Sequence, residues 1–533
     1  MKEQSKSQKL DCDYVVIGSG FGGAVSALRL AEKGYKVIVI EKGKWFNKPE
    51  DFPKTNWNLR KWLWLPQLSW SGLLKLTFFR HVAVLSGVGV GGGSLVYANT
   101  LPVPKSPFFK SGSWNTLCDW EQELAPFYTL AKKMLGAEKH PYTSKSEVVM
   151  QELANVQNQP SAFEKTDVAV YFGQPNVTQP DPYFEGKGPD RTGCIQCGGC
   201  MLGCRHNAKN TLDKNYLHLA QHYDCNIMAK TLVYDVIPLN ADGSDGYEVL
   251  CKDALSAFPK KKKIRTKGVV FAGGVLGTLG LLLRLQTTSL PNLSKTVGKG
   301  VRTNSESLIG VTTFDKATNF SKGIAIGSIV HLDENRHIEP VKYSEGSGFW
   351  RLLMAPMIQG TTLLSRIFKM VKAICLEPIA YLKTFFVSDW SKRTQILLYM
   401  ESIDSTLKMQ RSKFGLLKTT IDEGKPPTAF NPIAQTLAKE VATIVNGKAM
   451  VISTEALFGI PTTAHILGGA CMGKDAENGV INQNNQVFNY SNMLVCDGSM
   501  ISANIGVNPS LTITAITERA MSTIPPKQTN NSF

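Results

Sequence analysis

The chain of 533 residues lacks several features that would place it in a specialised class of protein. It has no uninterrupted apolar stretch of about 18 residues, so the sequence predicts no membrane-spanning helix. Its opening residues, "MKEQSKSQKLDCDY", are polar and do not match a secretory signal. Helix-turn-helix, zinc-finger and RNA-motif patterns are missing, so no nucleic acid partner is expected. We therefore expect a globular protein in the cytoplasm.

The cysteines do not form the pattern of a disulfide-stabilised secreted domain. Most of the 11 are scattered singly along the chain, which favours a reducing compartment: Cys12, Cys118, Cys225, Cys251, Cys375, Cys471 and Cys496.

The remaining cysteines lie within "TGCIQCGGCMLGC" and follow a C-x2-C-x2-C-x3-C spacing: Cys194, Cys197, Cys200 and Cys204. Thiolates with this spacing ligate iron–sulfur clusters in bacterial proteins. However, the chain has no second run of this kind, and Arg205 stands where those proteins have proline. A four-thiolate zinc site also fits the spacing. An iron–sulfur cluster, zinc, and free or structural thiols are therefore three open interpretations.

Positive charge is in excess, with a formal net charge of +16. Such an excess indicates affinity for an anionic partner such as phosphate or lipid headgroups. Its densest cluster, "PKKKKIR" at 259–265, is typical of a solvated hairpin tip.

A dinucleotide-binding unit stands at the front of the chain, in "DYVVIGSGFGGAVSALRLAEKGYKVIVIEKG". The pattern predicts a strand, a turn with G-x-G-x-x-G spacing (Gly18, Gly20 and Gly23), a helix and a second strand. The start of the helix is suited to a pyrophosphate. Glu41, at the end of the second strand, is placed to accept hydrogen bonds from a ribose and disfavours a 2′-phosphate.

Later segments favour a flavin over a nicotinamide cofactor. A second glycine run, "SGVGVGGGSLVYANT" (86–100), allows the backbone to pass close to a large ligand. The segment 267–283 predicts a buried strand, a glycine turn and a helix that return to the first sheet. Near the C-terminus, "GVNPSLTITAITERAM" predicts a helix with Asn508 as its N-cap and Pro509 in its first turn.

Five segments in order along the chain resemble the glucose–methanol–choline family of FAD oxidoreductases, and within it the cholesterol-oxidase branch. They are "GSGFGG", "GVGGGSLV", "HILGGACMGK", "VCDGSMI" and "GVNPSLTITAITERA". The resemblance implies an α/β fold, with a Rossmann-like FAD-binding domain and a discontinuous substrate-binding domain made mainly of antiparallel sheet with helices. It also implies that FAD contacts Gly93, Val233, Gly498 and Asn508. The chain departs from close cholesterol oxidases at Tyr97–Thr100, where they read Asn-Gly-Gly-Met.

The same resemblance implies a division of the chain into domains. Residues 10–105, 205–303 and 461–525 are expected to form the FAD-binding domain. Residues 106–204 are expected to form a connecting region that includes the four cysteines. Residues 304–460 are expected to form the substrate-binding domain, with an apolar and basic insertion at 349–390.

Three residues are candidates for catalysis. His465 and Asn508 stand where the family keeps a His/Asn pair that hydrogen-bonds the substrate oxygen. A histidine suits this role because its ordinary pKa lies near neutrality. A buried structural histidine and a helix-capping asparagine are the alternatives. Cholesterol oxidases also move a ring double bond through a glutamate, and Glu339 stands in a comparable place, with an ordinary exposed carboxylate as the alternative.

The function implied is oxidation of a sterol-like 3β-alcohol with transfer of electrons to O2, with or without double-bond isomerisation. Two alternatives stay open: a dehydrogenase that passes electrons through the cysteine site to a quinone or protein, and a membrane-associated flavoprotein that binds sterol without turnover. The segments 56–80 and 349–390 combine apolar and basic residues. Such segments fit either peripheral contact with an anionic membrane or packing between domains.

Overall fold

The computed structural model describes residues 9–403, 405–424 and 426–528. The strands, in chain order, are β1 (Cys12–Ile17), β2 (Val37–Ile40), β3 (Trp64–Leu65), β4 (Trp70–Ser71), β5 (Leu74–Phe78), β6 (Ala83–Gly87), β7 (Glu138–Lys139), β8 (Phe163–Lys165), β9 (Asp167–Val168), β10 (Thr178–Gln179), β11 (Arg191–Thr192), β12 (Asn226–Met228), β13 (Thr231–Pro238), β14 (Tyr247–Asp253), β15 (Lys261–Phe271), β16 (Val301–Arg302), β17 (Ser307–Thr313), β18 (Ser328–His331), β19 (Arg336–Val341), β20 (Met354–Pro356), β21 (Thr394–Glu401), β22 (Thr406–Arg411), β23 (Leu417–Glu423), β24 (Gly447–Ile452), β25 (Thr462–Thr463) and β26 (Met493–Val495).

The helices are α1 (Phe21–Glu32), α2 (Leu59–Trp62), α3 (Ser106–Phe109), α4 (Trp120–Met134), α5 (Lys145–Val156), α6 (Tyr216–Gln221), α7 (Val275–Leu285), α8 (Leu363–Leu376), α9 (Pro378–Phe385), α10 (Trp390–Arg393), α11 (Pro432–Ile444) and α12 (Ser510–Ser522). In the ranges that the structure describes, none of these helices has the length and apolar character needed to cross a bilayer.

The first of two large sheets has the strand order β12-β2-β1-β15-β14-β13, with β26 beside β15. The strands β12, β2, β1, β15 and β26 are parallel to one another. The strands β14 and β13 extend the sheet from β15 with antiparallel pairing. The apolar runs of β1 and β26 are buried, as expected for parallel strands covered on both faces. Helices α1 and α12 pack against each other, so the two ends of the chain meet in one layer.

The second large sheet is antiparallel, with the order β20-β24-β17-β21-β19-β18-β8. Side chains on β21 alternate between its faces: Leu397 and Tyr399 pack under α5 and α11, whereas Leu398 and Met400 face the opposite side. The expected α/β fold with a mainly antiparallel second sheet is therefore confirmed. The domain boundaries stay a prediction; the edge strand β8 of this sheet comes from the region 106–204.

The two segments that combine apolar and basic residues differ in their surroundings. In the segment 56–80, Trp62, Trp64 and Leu74 are buried, and Trp62 packs with Trp350 in one interior cluster. In the insertion 349–390, by contrast, α8 has no buried residue. Packing thus accounts for much of the first segment but not for α8.

A buried ion pair fixes the orientation of α5 against the second sheet. The Lys342 ammonium lies 3.1 Å from the Glu147 carboxylate, and both side chains are fully buried. Burial raises the pKa of Glu147, but Lys342 and the Ser144 hydroxyl outweigh this effect and hold it below its usual value. Because Lys342 follows β19 directly, the pair also steadies the strand that carries Glu339.

We expect Lys342→Met to lower the free energy of unfolding by about 3–5 kcal/mol, because it leaves the Glu147 charge buried without a partner. Lys139→Met is the matched control, since it removes the partner of Glu164 in an exposed pair with an N–O distance of 2.7 Å. It should change stability by at most about 1 kcal/mol. Urea unfolding measures both variants, and equal losses would contradict the assignment.

Candidate functional site

A cavity of about 320 Å³ lies between the carboxyl ends of the parallel strands and the free face of the antiparallel sheet. Its floor comes from the glycine turns and helix starts of the first sheet. Its roof includes Leu308 and Leu398, which lie opposite each other on β17 and β21; Glu339 lies opposite Leu398 on β19 but does not itself line the cavity. Leu308 and Leu398 line the cavity directly. The cavity is therefore polar on one side and largely apolar on the other.

Three helices begin at this cavity: α1 after Gly20, α7 after Gly274 and α12 after Pro509. None of these three starts has a side-chain cap. The first backbone N–H groups of a helix have no partner within the helix and carry partial positive charge. Three such starts at one cavity create a strong site for an anionic ligand.

The glycines of the first turn have separate structural roles. Gly18 has φ +103°, and a Cβ there would lie 2.3 Å from the Ala272 carbonyl oxygen. A Cβ on Gly23 would lie 2.1 Å from the Gly18 carbonyl oxygen, so this glycine allows α1 to pack closely on the turn. A Cβ on Gly20 would meet no atom within 4 Å, because Gly20 borders the open cavity. These are the roles that the spacing predicts for a pyrophosphate-binding turn.

Glu41 lies directly after β2 and is buried beside this turn. Its carboxylate accepts hydrogen bonds from the backbone N–H (3.2 Å) and hydroxyl (2.9 Å) of Ser19 and from the backbone N–H of Gly43 (2.8 Å). The carbonyl of Glu41 accepts from the N–H of Thr231 at 2.9 Å, which places the start of β13 alongside. Val233 follows on β13, and neither Glu41 nor Val233 lines the cavity. Their contacts with FAD stay predictions.

The other expected cofactor contacts do line the cavity. Gly93 belongs to a short 3₁₀ helix within the second glycine run, and Gly498 follows β26. Tyr97, Ala98 and Thr100 also line the cavity, so the departure from the Asn-Gly-Gly-Met sequence changes its wall.

His465 is held by a buried carboxylate. Its Nδ1 lies 2.7 Å from Oε1 of Glu306, which also accepts from the Thr463 hydroxyl, while Oε2 accepts from the N–H of Ala464. Burial lowers the pKa of His465, but the charge and hydrogen bond of Glu306, with a smaller effect of Glu339, outweigh it. The pKa of His465 is therefore raised above its usual value. Both His465 and Glu306 line the cavity.

Backbone pairing explains why these two residues meet. The backbone groups of Arg302 and Leu467 exchange two hydrogen bonds of 2.7 and 2.9 Å, which lays the chain before β17 alongside the chain after β25. Glu306 was not identified from the sequence. No local pattern marks it, because its partner lies 159 positions away.

Asn508 and Glu339 are joined directly. The Nδ2 of Asn508 donates to Oε2 of Glu339 at 3.3 Å, and Glu339 is fully buried. Helix α12 begins at Ser510 with Pro509 as its uncapped N-cap, so the prediction that Asn508 is the N-cap was wrong. The alternative of an exposed carboxylate for Glu339 is likewise wrong. The Oδ1 of Asn508 is buried and accepts no hydrogen bond from the described residues.

The four cysteines border a second, much smaller cavity of about 20 Å³, together with His206 and Lys209. Two backbone N–H groups donate to their sulfurs, Gln196 to Cys194 at 3.4 Å and Ala208 to Cys204 at 3.3 Å. Even so, within residues 9–403, 405–424 and 426–528 no three His, Cys, Asp or Glu side chains form a set that could hold a metal ion. The arrangement therefore does not fit the metal interpretations of the cysteine run.

Lys209 connects the cysteine cavity to the main one. Its buried ammonium donates to the carbonyls of Leu95 (3.1 Å), Tyr97 (2.8 Å) and Cys200 (2.8 Å). Burial lowers the pKa of Lys209 to about 7. Met201, next to Cys200, lines the main cavity. The cysteine segment is thus part of the wall of the main site.

The main cavity fits FAD by several independent features. Glycines whose Cβ positions point into open space (Gly20, Gly274 and Gly277) leave room for a bound group. Three uncapped helix starts suit its diphosphate and the negative charge that a reduced flavin carries. Asn508 adds a buried amide oxygen without a partner.

Comparison with known proteins agrees with this geometry. A family model described as "FAD binding domain" matches residues 13–48. Two models described as "GMC oxidoreductase" match residues 188–300 and 414–517.

Among similar proteins, the cholesterol oxidase of Acinetobacter baumannii is 44% identical over 532 residues, covering 97% of this chain and 95% of that protein. The cholesterol oxidase of Mycobacterium tuberculosis (strain H37Rv) is 41% identical over 536 residues, covering 97% and 92%. The crystal structure of pyridoxine 4-oxidase from Mesorbium loti has a TM-score of 0.62 at 12% identity and covers 96% of this chain and 99% of that one. The chain therefore belongs to the GMC oxidoreductase family and is an FAD-dependent oxidoreductase that acts on CH–OH groups.

Proposed function

We propose that this protein oxidises the 3β-hydroxyl group of a sterol-like alcohol to a ketone and passes the electrons to O2. The observation that carries the proposal is the position of His465, oriented by Glu306, at the edge of a cavity with an apolar roof. The names of the two bacterial relatives, both cholesterol oxidases, support the choice of substrate.

His465 acts as the base in this proposal. Its Nδ1–H donates to Glu306, so Nε2 carries the lone pair that accepts the proton of the substrate hydroxyl. Glu306 stabilises the imidazolium that forms, as a carboxylate does for the histidine of other catalytic pairs. Bound FAD supplies the acceptor for the hydride that leaves the carbinol carbon. The two electrons and two protons removed from the alcohol finally reduce O2 to H2O2.

Asn508 positions the substrate oxygen. One N–H of its side chain donates to Glu339, which leaves the second N–H to donate to the hydroxyl or ketone oxygen. The uncapped start of α12 directly after Asn508 and Pro509 favours negative charge that develops at this end of the cavity.

Glu339 serves as the proton shuttle for isomerisation in the same proposal. Oxidation of a Δ5 sterol gives a ketone separated from its double bond by one carbon. Moving the bond into conjugation requires removal of a proton from C4 and delivery of a proton to C6. A single carboxylate can do both, and Glu339 lies opposite Leu398 of the cavity roof and accepts a hydrogen bond from Asn508, which lines the cavity.

Apolar side chains define the space for a ring system. Residues from the second large sheet, from the segment 56–87 and from connecting segments contribute to it: Leu74, Leu85, Val96, Met201, Leu308, Ile326, Val341 and Leu398. Burial of a rigid apolar molecule against this lining is favourable by about 25 cal/mol per Å² of apolar surface removed from water.

Anaerobic mixing of the FAD-loaded protein with a 3β-hydroxysterol tests this proposal. We expect the visible flavin absorbance to bleach, and His465→Gln to slow bleaching by about 10²- to 10⁴-fold. Under air, one H2O2 should appear for each alcohol oxidised. No bleaching would favour a protein that only binds sterol, whereas bleaching with little H2O2 would favour a dehydrogenase with another electron acceptor.

We expect Glu306→Gln to move the pH dependence of kcat/KM. The rate rises with pH as His465 loses its proton, and Glu306 holds that pKa above its usual value. Removing the negative charge lowers the pKa, so the midpoint of the rise should fall by about 1 pH unit. The plateau rate should also fall, since the imidazolium loses its partner.

Glu455→Gln is the matched control for this measurement. Burial raises the pKa of Glu455 well above its usual value, which favours the neutral carboxyl that an amide resembles in charge. An equal shift in the two variants would contradict the role of Glu306.

We expect Glu339→Gln to retain oxidation and to lose isomerisation by about 10²-fold or more. The amide oxygen still accepts from Asn508, but the side chain can no longer carry a proton. Absorbance of the conjugated enone measures the second step. Glu401→Gln is the control, because Glu401 is a buried carboxylate of the same sheet that binds Arg336 and Asn431 instead. Normal enone formation by Glu339→Gln would remove Glu339 from the mechanism.

A further inference from the structure

The helices α8 (Leu363–Leu376) and α9 (Pro378–Phe385), here called the apolar hairpin, expose a large apolar surface. None of the residues of α8 is buried, and Leu364 and Phe368 are 80% and 71% exposed. Further exposed apolar residues extend the surface along both helices: Leu363, Ile367, Val371, Ile374, Leu376, Ile379, Leu382, Phe385 and Phe386.

The positions of these residues form stripes rather than a random scatter. On α8, Leu364, Phe368, Val371 and Ile374 recur at steps of three or four residues, which places them on one side of the helix. An amphipathic helix normally turns such a stripe toward a core. On the apolar hairpin the stripe faces solvent. An exposed apolar surface of this kind is typical of a site where a partner binds.

The charges on the apolar hairpin indicate an anionic partner. The hairpin carries four basic residues, Arg366, Lys369, Lys372 and Lys383, against one acidic residue, Glu377. Glu377 is moreover paired with Lys448 at 2.7 Å. Apolar side chains interleaved with lysines suit the boundary between acyl chains and anionic headgroups. A second copy of this chain fits poorly, because two chains of net charge +16 repel each other.

The hairpin also contacts segments that adjoin the wall of the substrate cavity. Arg366 donates to the carbonyl of Leu457 at 3.2 Å, in the π-helical turn that precedes β25 and His465. At the other end, Arg351 donates to the carbonyl of Phe385 at 3.4 Å. Its neighbour Trp350 packs in the cluster that includes Leu74, a residue of the cavity wall.

We propose that the apolar hairpin docks the protein on an anionic phospholipid bilayer, next to the cavity that receives the substrate. The apolar stripes enter the headgroup boundary and Lys372 faces the lipid phosphates, while the ammonium groups of Lys369 and Lys383, which contact the Gln359 carbonyl and the Phe314 ring, add positive charge nearby. The inference that docking supplies a membrane-dissolved substrate rests on the proposed sterol oxidation. The inference that the protein binds the bilayer does not.

Co-sedimentation of the full chain with vesicles of phosphatidylcholine and phosphatidylglycerol, free of sterol, tests the docking directly. We expect Leu364→Ser combined with Phe368→Ser to weaken vesicle binding by about tenfold or more, since both side chains lose their apolar surface. Lys372→Gln should weaken binding to these vesicles about fivefold and should leave binding to pure phosphatidylcholine unchanged.

The combined Phe258→Ser and Phe414→Ser variant is the matched control. These two phenylalanines are 93% and 92% exposed but lie on hairpin loops remote in sequence, and Phe258 adjoins the basic run 259–265. The control should bind as the parent protein does. Loss of binding in the control with none in the α8 variant would overturn the proposal, as would a parent protein that does not bind. A parent dimer that the α8 variant dissociates would also overturn it, in favour of self-association.

Activity separates this inference from the proposed function. The α8 variant should oxidise sterol delivered in detergent micelles at the parental rate and sterol held in vesicles more slowly. Vesicle binding without any sterol oxidation would refute the proposed substrate and leave docking intact. Sterol oxidation without vesicle binding would refute the docking and leave the proposed substrate intact.

Discussion

The convergence of three helix starts on the carboxyl edge of one parallel sheet is the constraint on which the rest of this molecule depends. Strands β1, β15 and β26 come from opposite parts of the chain, yet they pair side by side. Each is followed by a helix whose first N–H groups face the same cavity. These groups would be costly to bury without a partner. Bound FAD would supply acceptors for these groups through its diphosphate and its reduced flavin.

Several ionisable groups are buried around this edge at a cost in stability. Glu306 sits beside His465, Glu339 beside Asn508, and Lys209 among three backbone carbonyls. Isolated charges in such places are unfavourable unless hydrogen bonds replace water. Glu306 is fully satisfied by His465, Thr463 and the Ala464 backbone. Oε1 of Glu339, in contrast, has no hydrogen-bond partner among the described residues, and Nε2 of His337 lies 3.4 Å from it.

The sequence was most informative where a structural role depends on neighbouring residues. The turn at Gly18, Gly20 and Gly23 and the strand–helix return at 267–283 follow from local backbone requirements, and the structure has both. Glu306 could not be predicted in this way, because its role comes from the pairing of residues 302 and 467. The start of α12 was misplaced by one residue because Asn is a strong N-cap former, whereas here its side chain binds Glu339 instead.

The cysteine run shows that a local sequence pattern is not sufficient to predict metal binding. Its spacing is local and matches a metal-binding loop, but ligation also requires the sulfurs to converge, which depends on the surrounding backbone. Here Lys209 occupies the neighbouring interior and binds the Cys200 carbonyl, so the segment is anchored to the Leu95–Tyr97 backbone by an ammonium group. Hydrogen bonds of this kind hold this part of the wall of the main cavity in place.

The apolar and basic segments show why composition alone could not separate two physical roles. Both 56–80 and 349–390 permit packing between domains or contact with a bilayer, since apolar burial does not depend on what provides the apolar phase. The distinction comes from geometry. Trp62 and Leu74 find protein neighbours beneath the second sheet, because that sheet presents alternate side chains of β21 toward them. Helix α8 contacts the edge strand β20 and the π-helical turn before β25, but none of its residues is buried, so no part of the described chain covers its outer stripe. The same residue types thus stabilise the cavity wall in one segment and leave a surface for a partner in the other.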